Sequence, residues 1–202
     1  MTDQEKSFIE SCFEGNLQNI KSCIKYGVNI AVADNWCIDI VARRGHSKLV
    51  KFFLENGISH ETACKKMVLA YSSNNEDLEL VKYLIKESSE YKKETSALQW
   101  AAAKGNLPIV ELLLVYFNDF NGVFCSAAST GQLEILQFLI DNGIEELDSG
   151  AERAVYWAAE KYKWYAVDLL LNNKIGEMSN LGDQFTKKYK DWKEKTKLNS
   201  AE

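Results

Sequence analysis

The feature that most constrains this 202-residue chain is a segment that occurs six times. Residues 126 to 143 read Ser-Ala-Ala-Ser-Thr-Gly-Gln-Leu-Glu-Ile-Leu-Gln-Phe-Leu-Ile-Asp-Asn-Gly, and five further segments align to them without gaps. The clearest copies are residues 100 to 114, Trp-Ala-Ala-Ala-Lys-Gly-Asn-Leu-Pro-Ile-Val-Glu-Leu-Leu-Leu, and residues 40 to 57, Ile-Val-Ala-Arg-Arg-Gly-His-Ser-Lys-Leu-Val-Lys-Phe-Phe-Leu-Glu-Asn-Gly. Segments 10 to 27, 71 to 88 and 157 to 174 keep the apolar pattern, the last two without the central glycine. The break position falls at Gly15, Gly45, Glu76, Gly105, Gly131 and Tyr162, so successive breaks stand 30, 31, 29, 26 and 31 residues apart. A period of that size marks stacked supersecondary units rather than one irregular globule.

Each unit has a physical logic. Ala101-Ala102, Ala127-Ala128 and Ala158-Ala159, with Ser72-Ser73 in the third unit, let a first helix approach its neighbours closely. Glycine at the break takes a left-handed conformation without a Cβ penalty, ending one helix and turning the chain into the next. The second helix then sets apolar residues five, eight and nine positions past the break, as in Val110, Leu113 and Leu114 or Leu136, Leu139 and Ile140, with Leu133 on the same face. Pro108 is the only proline, so helices run with few forced breaks. One pair cannot bury its stripe alone; about six pairs, stacked on nearest-neighbour interfaces, are expected to form an all-α rod.

The segments Ala-Ala-Lys-Gly-Asn-Leu-Pro-Ile-Val-Glu-Leu-Leu-Leu and Ala-Ala-Ser-Thr-Gly-Gln-Leu-Glu-Ile-Leu-Gln-Phe-Leu-Ile-Asp-Asn-Gly resemble ankyrin repeats. The resemblance covers roughly residues 4 to 175 and implies an all-α, ankyrin-like solenoid. Its expected array is residues 1–175, with repeats at about 4–30, 34–60, 62–91, 95–119, 121–147 and 151–176. Where the family has Thr-Pro-Leu-His, this chain has Trp36-Cys37-Ile38-Asp39, Ser96-Ala97-Leu98-Gln99 and Gly122-Val123-Phe124-Cys125. The link around Asn118 to Asn121 is short for the family's projecting hairpin, so a tight turn is expected there. Divergent, proline-poor arrays of this style resemble those of large DNA viruses, intracellular bacteria and protists.

The ends of such an array need polar outer faces. The opening helix carries Glu5, Lys6, Glu10 and Glu14. After the last repeat, residues 177–202 are expected to form an amphipathic capping helix and tail, with Leu181, Phe185, Tyr189 and Trp192 along one stripe. From 181 onward six Lys stand against four acidic residues, so this tail is +2 and the remainder of the −5 chain is −7. A basic amphipathic helix also reads as a partner or membrane-surface anchor; capping is the simpler reading.

Composition narrows the chemistry. A net charge of −5 offers no broad cationic surface for phosphates, so nucleic acid is not an expected partner. No run of eighteen apolar residues occurs, so no membrane span is expected. Five irregularly spaced cysteines without a CxxC fit a reducing cytosol, or a host's cytosol if the source is a virus or intracellular bacterium. Two histidines, His46 and His60, are too few for a triad or a histidine-based metal site. His60 and Cys64 stand four apart, and two ligands do not hold a structural zinc. His46 follows a break, where a helix-start hydrogen bond is the expected role. Cys12 and Cys125 read as packing atoms. With no phosphate-binding glycine loop and no HExxH, neither enzyme activity nor a cofactor or metal is expected.

Five positions before each break stand Glu10, Ile40, Tyr71, Trp100, Ser126 and Trp157. The ankyrin resemblance turns this position toward a concave groove, with Glu14, Arg44, Asn75, Lys104, Thr130 and Lys161 one turn further on. It implies a partner-binding set of Tyr71, Trp100 and Trp157 ringed by Arg43, Arg44, Lys104 and Lys161, the anatomy of an interaction hot spot. The alternative is that these aromatics fill gaps in the core. Trp36, Tyr156 and Trp164 are expected to serve packing between repeats. The implied function is a non-enzymatic module that binds another protein. The alternatives are an effector or inhibitor that blocks a host factor or sequesters a small charged ligand or nucleotide, and a self-associating rod.

Overall fold

The computed structural model describes residues 1–65, 67–93, 95–117, 120–143 and 150–199, and every regular element among them is helical. Helices alternate in pairs: α1 (Asp3–Glu14) with α2 (Leu17–Lys25), and α3 (Val32–Arg43) with α4 (Ser47–Glu55). A short α5 (His60–Lys65) precedes the pair α6 (Val68–Asn74) and α7 (Leu78–Glu87). Then come α8 (Ser96–Lys104) with α9 (Leu107–Leu114), α10 (Phe120–Thr130) with α11 (Leu133–Asp141), and α12 (Gly150–Glu160) with α13 (Trp164–Asn172). The last helix is α14 (Gly182–Asn199). The link around Asn118 and the segment 144–149 lie outside the described residues, so the tight turn expected at Asn118 is not among the features seen.

All six break positions are left-handed: Gly15 (φ +77°), Gly45 (+75°), Glu76 (+61°), Gly105 (+78°), Gly131 (+80°) and Tyr162 (+56°). The register read from the glycines therefore holds where glycine is absent, and Glu76 and Tyr162 bear the strain of a Cβ in that region. Past each break the next residue opens the second helix. Asn16, Asp77 and Asn106 cap it, their side chains accepting from the backbone N–H groups of Asn19, Leu80 and Ile109.

The stripe of the second helix lies one position earlier than its sequence suggests. Positions four, five and eight past the break are the fully buried ones: Leu49, Val50 and Phe53; Ile109, Val110 and Leu113; Ile135, Leu136 and Leu139. Position nine is half-buried at Leu54, Leu114, Ile140 and Leu171 and buried at Ile85, and Leu133 is exposed, so the expected face is corrected for the half-buried residues and for Leu133. Each fully buried aliphatic side chain stabilises by roughly 1.5–3 kcal/mol. The small-residue pairs are interior as expected: Ala101, Ala102, Ala127, Ala128, Ala158 and Ala159 are fully buried, with Ser72 and Ser73 beside them in the third pair.

The chain divides into two compact units, residues 1–97 and 98–202. In the first, α3 packs on both α1 and α6. In the second, α10 packs on α12, and α11 on α9 and α13, while α14 lies against α12. Neighbouring pairs within a unit are tied through the breaks. His46 does not cap its own helix; its Nε2–H donates to the Phe13 carbonyl of the preceding pair (3.1 Å). Gln132 Nε2 donates to the Ala103 carbonyl (3.1 Å), Asn75 Nδ2 to the Ala42 carbonyl (2.8 Å), and Ser47 Oγ to the Asp77 carboxylate. The expected helix-start role of His46 is thus replaced by a link between repeats.

Tyr189 and Leu181 of the C-terminal segment are buried. Asp168 on α13 accepts hydrogen bonds from Tyr189 Oη, Lys193 Nζ (2.6 Å) and Asn172 Nδ2 (3.1 Å). Burial alone would raise the Asp168 pKa; the Lys193 and Tyr189 hydrogen bonds and the Lys193 charge outweigh it and hold it below the ordinary carboxylate value.

Candidate functional site

Of the sequence-derived site residues, Arg43, Tyr71, Trp100, Lys104 and Trp157 sit on first helices, and Arg44 and Lys161 directly follow the last residues of α3 and α12. In the first unit Tyr71 (α6) is half-buried, and the Arg43 guanidinium at the end of α3 lies 4.8 Å from its ring centroid. Asp39, one turn back, bonds Arg43 Nε at 3.0 Å; that hydrogen bond and its charge raise the Arg43 pKa further. Arg44, beside it, stacks 5.2 Å from the ring of Phe13 on α1. Phe13 in turn meets Trp36 edge-on at 5.8 Å. The structure thus adds Phe13 and Trp36 to the surface that Arg43, Arg44 and Tyr71 begin. Trp36 does bridge two repeats as expected, but it does so at the surface, 43% exposed.

In the second unit Trp100 (α8) and Trp157 (α12) are half-buried, and Lys104 and Lys161 are exposed at the ends of the same helices. Lys161 Nζ lies 3.6 Å from Glu160 Oε2, which partly offsets its charge. Trp157 meets Tyr156 edge-on at 5.7 Å, and Tyr156, expected to be packed, is 42% exposed. Trp164 is half-buried between Tyr162 (5.7 Å) and Tyr189 (6.4 Å), so its packing partner is the C-terminal helix as well as its own repeat. Ile40, which shares the register of Tyr71 and Trp100, is 4% exposed and belongs to the core, because α3 is flanked by packed helices on both sides. The expected row of surface side chains is therefore interrupted at the second repeat.

The remaining chemistry-bearing residues are structural. His60 Nδ1 lies 3.2 Å from the hydroxyl of Tyr91, and Cys64 Sγ donates to the Glu90 carbonyl, so both fix the 3₁₀ turn Ser89–Lys93. Tyr91 is fully buried, and nothing in its lysine-rich surroundings signals that. Cys12 and Cys37 are fully buried on α1 and α3. The neighbouring Cys37 thiol, together with burial, keeps Cys12 protonated well above the ordinary thiol range, which suits an inert packing atom. Cys125 is half-buried rather than fully internal. Among the described residues no group of three His, Cys, Asp or Glu could hold a metal ion, and no helix is long and apolar enough to cross a membrane.

Comparison with known proteins places this geometry. A family model described as ankyrin repeats, three copies, matches residues 37–123. The ankyrin repeat protein L66 of Acanthamoeba polyphaga mimivirus is 34% identical over 86 residues, covering 43% of this chain and 14% of that protein. The chain therefore matches only a small part of that viral protein's length. The crystal structure of the human ASB11 ankyrin repeat domain superposes with a TM-score of 0.65 at 17% identity, covering 82% of each chain. Ankyrin repeats are generally protein–protein interaction modules and typically non-catalytic. Residues 37–123 of this chain match the model of ankyrin repeats, and its fold is like that of an ankyrin repeat domain.

Proposed function

We propose that the protein is a non-enzymatic module that holds another protein against the first-helix faces of its repeats. The contacts come from Tyr71, Arg43 and Arg44 in the first unit and from Trp100, Trp157, Lys104 and Lys161 in the second. One observation carries this reading. The close-packing positions of these helices are already filled by buried Ala101-Ala102, Ala158-Ala159 and Ser72-Ser73, while Tyr71, Trp100 and Trp157 keep part of their surface in water. An aromatic that only filled a gap would be fully enclosed, as Phe53 and Phe124 are. Half-buried aromatics beside guanidinium and ammonium groups suit a partner with an apolar centre and acidic margins.

Five cysteines, none in a disulfide, accord with work in the cytosol, and the viral relative accords with an effector that acts on host proteins. The test is partner capture by the full chain and by Trp100→Ala/Trp157→Ala, with far-UV circular dichroism on both. Loss of capture with helicity unchanged is expected. Loss of helicity would return the two tryptophans to the core. Strong thermal stabilisation by a nucleotide, without any captured protein, would favour a sequestering function instead.

A further inference from the structure

Away from the first-helix faces, the second unit carries an unassigned apolar hollow. Leu133 opens α11, Trp164 and Tyr165 open α13, and Trp192 reaches in from α14; together they line a cavity of about 250 Å³. Tyr165 meets Trp192 edge-on at 4.9 Å, and Lys163 lays its aliphatic stem against Gly131 on the floor. The hollow adjoins two others. One shares Trp164 and Trp192 and is edged by Lys188, Asp191 and Lys195; the other shares Leu133 and Tyr165 and is edged by Glu134. Leu133 (40%), Tyr162 (55%) and Tyr165 (61%) are among the most exposed large apolar residues of the chain. Such clustering on one surface marks a contact site rather than scattered exposure.

Size and charge select the occupant. The central cavity of 250 Å³ is smaller than the roughly 300–1,000 Å³ typical of metabolite pockets and runs on into hollows of about 360 and 420 Å³, so the strip suits an extended segment with one anchoring side chain in the centre and the flanking chain laid across the neighbours. At one end Lys188 and Lys195 outnumber Asp191, Lys163 lines the centre, and the other end has Glu134 and the Lys193-paired Asp168. We propose that this strip binds a short peptide segment of a partner protein, seating an aromatic or leucine side chain against Trp164, Tyr165 and Trp192. Carboxylates on one side of that anchor lie over Lys188 and Lys195. This second site is distinct from the first-helix contacts proposed above and stands without them.

Panning a phage-displayed random dodecapeptide library on the full chain, with fluorescence anisotropy of the enriched peptides, tests it. Enriched peptides should pair an aromatic or leucine with acidic residues on one side. Their affinity should fall at least tenfold on Tyr165→Ser and on Lys195→Glu, measured at a temperature where circular dichroism shows each variant folded, and should be unchanged by Trp100→Ala. Enrichment of peptides without acidic residues, binding indifferent to Tyr165→Ser, or no enrichment at all would overturn the proposal. So would binding abolished by Trp100→Ala alone, which would place the peptides on the first-helix face. Cosedimentation with phosphatidylserine vesicles in the absence of enriched peptides would assign the strip to a lipid surface and overturn it too.

Discussion

Replacing Gly15 by alanine separates two reasons for a break glycine. The residue sits at φ +77°, where any Cβ costs about 1–2 kcal/mol. A Cβ there would also stand 2.7 Å from Cε1 and Nδ1 of His46. An imidazole moves as a rigid plate, so making room swings the whole ring and breaks the Nε2–H bond to the Phe13 carbonyl, a further loss of about 0.5–1.5 kcal/mol. Alanine also stiffens the unfolded chain, which returns about 0.4–1 kcal/mol. Gly27 in the same unit is the control: φ is +92°, and nothing lies within 4 Å of a built Cβ. Backbone strain and chain entropy are similar at the two sites and cancel in the comparison. Urea unfolding followed by circular dichroism should therefore find Gly15→Ala the costlier by about 1 kcal/mol. In a His46→Ala background that excess should disappear, giving a coupling energy of the same size. Equal costs at Gly15 and Gly27, or no coupling to His46, would refute the idea that break residues tie successive pairs together.

Two further outcomes follow from the same geometry. Glu76→Gly should raise the melting temperature, because removing a left-handed Cβ gains about 1–2 kcal/mol against about 0.5–1 kcal/mol of lost chain stiffness; Tyr162→Gly should lower it, since that ring also touches Trp164, Phe185 and Lys188. Shifts of the same sign in the two melts would contradict this. Asp168, with its pKa depressed in the folded state, contributes stability above its unfolded pKa of about 4 that is lost as pH falls through the lower folded value. The melting-temperature gap between wild type and Asp168→Asn should therefore be widest near neutrality and shrink in acid; a gap that is constant with pH would rule the ion pair out as its cause.

The break register was the most legible part of the chain, because it rests on alignment rather than on residue type. Glu76 and Tyr162 could be placed in left-handed turns although neither is a glycine. The face of the second helix was legible only to within one position. Ile109 and Leu114 are equally apolar, and only the neighbouring pair decides that Ile109 is enclosed and Leu114 is not. Side-chain reach between repeats was not legible: the bond from His46 to Phe13 spans 33 residues, and its local alternative, a helix cap, looks equally good in one dimension. The strip at α13 and α14 was half visible, since the period in the last helix picks out Phe185, Tyr189 and Trp192. Tyr162 and Tyr165 come from the break and the start of another helix, where no period points.

Site-directed photo-crosslinking bears most directly on the binding function. Benzoylphenylalanine would be placed in turn at Lys104, at Lys161 and at Lys82, an exposed position on the second helix α7, and each variant incubated in lysate of the native cells. If partners dock on the first-helix faces, one adduct of defined mass should form from Lys104 and Lys161 and be absent from Lys82. Adducts from Lys82 alone, or in equal yield from all three positions, would contradict that placement.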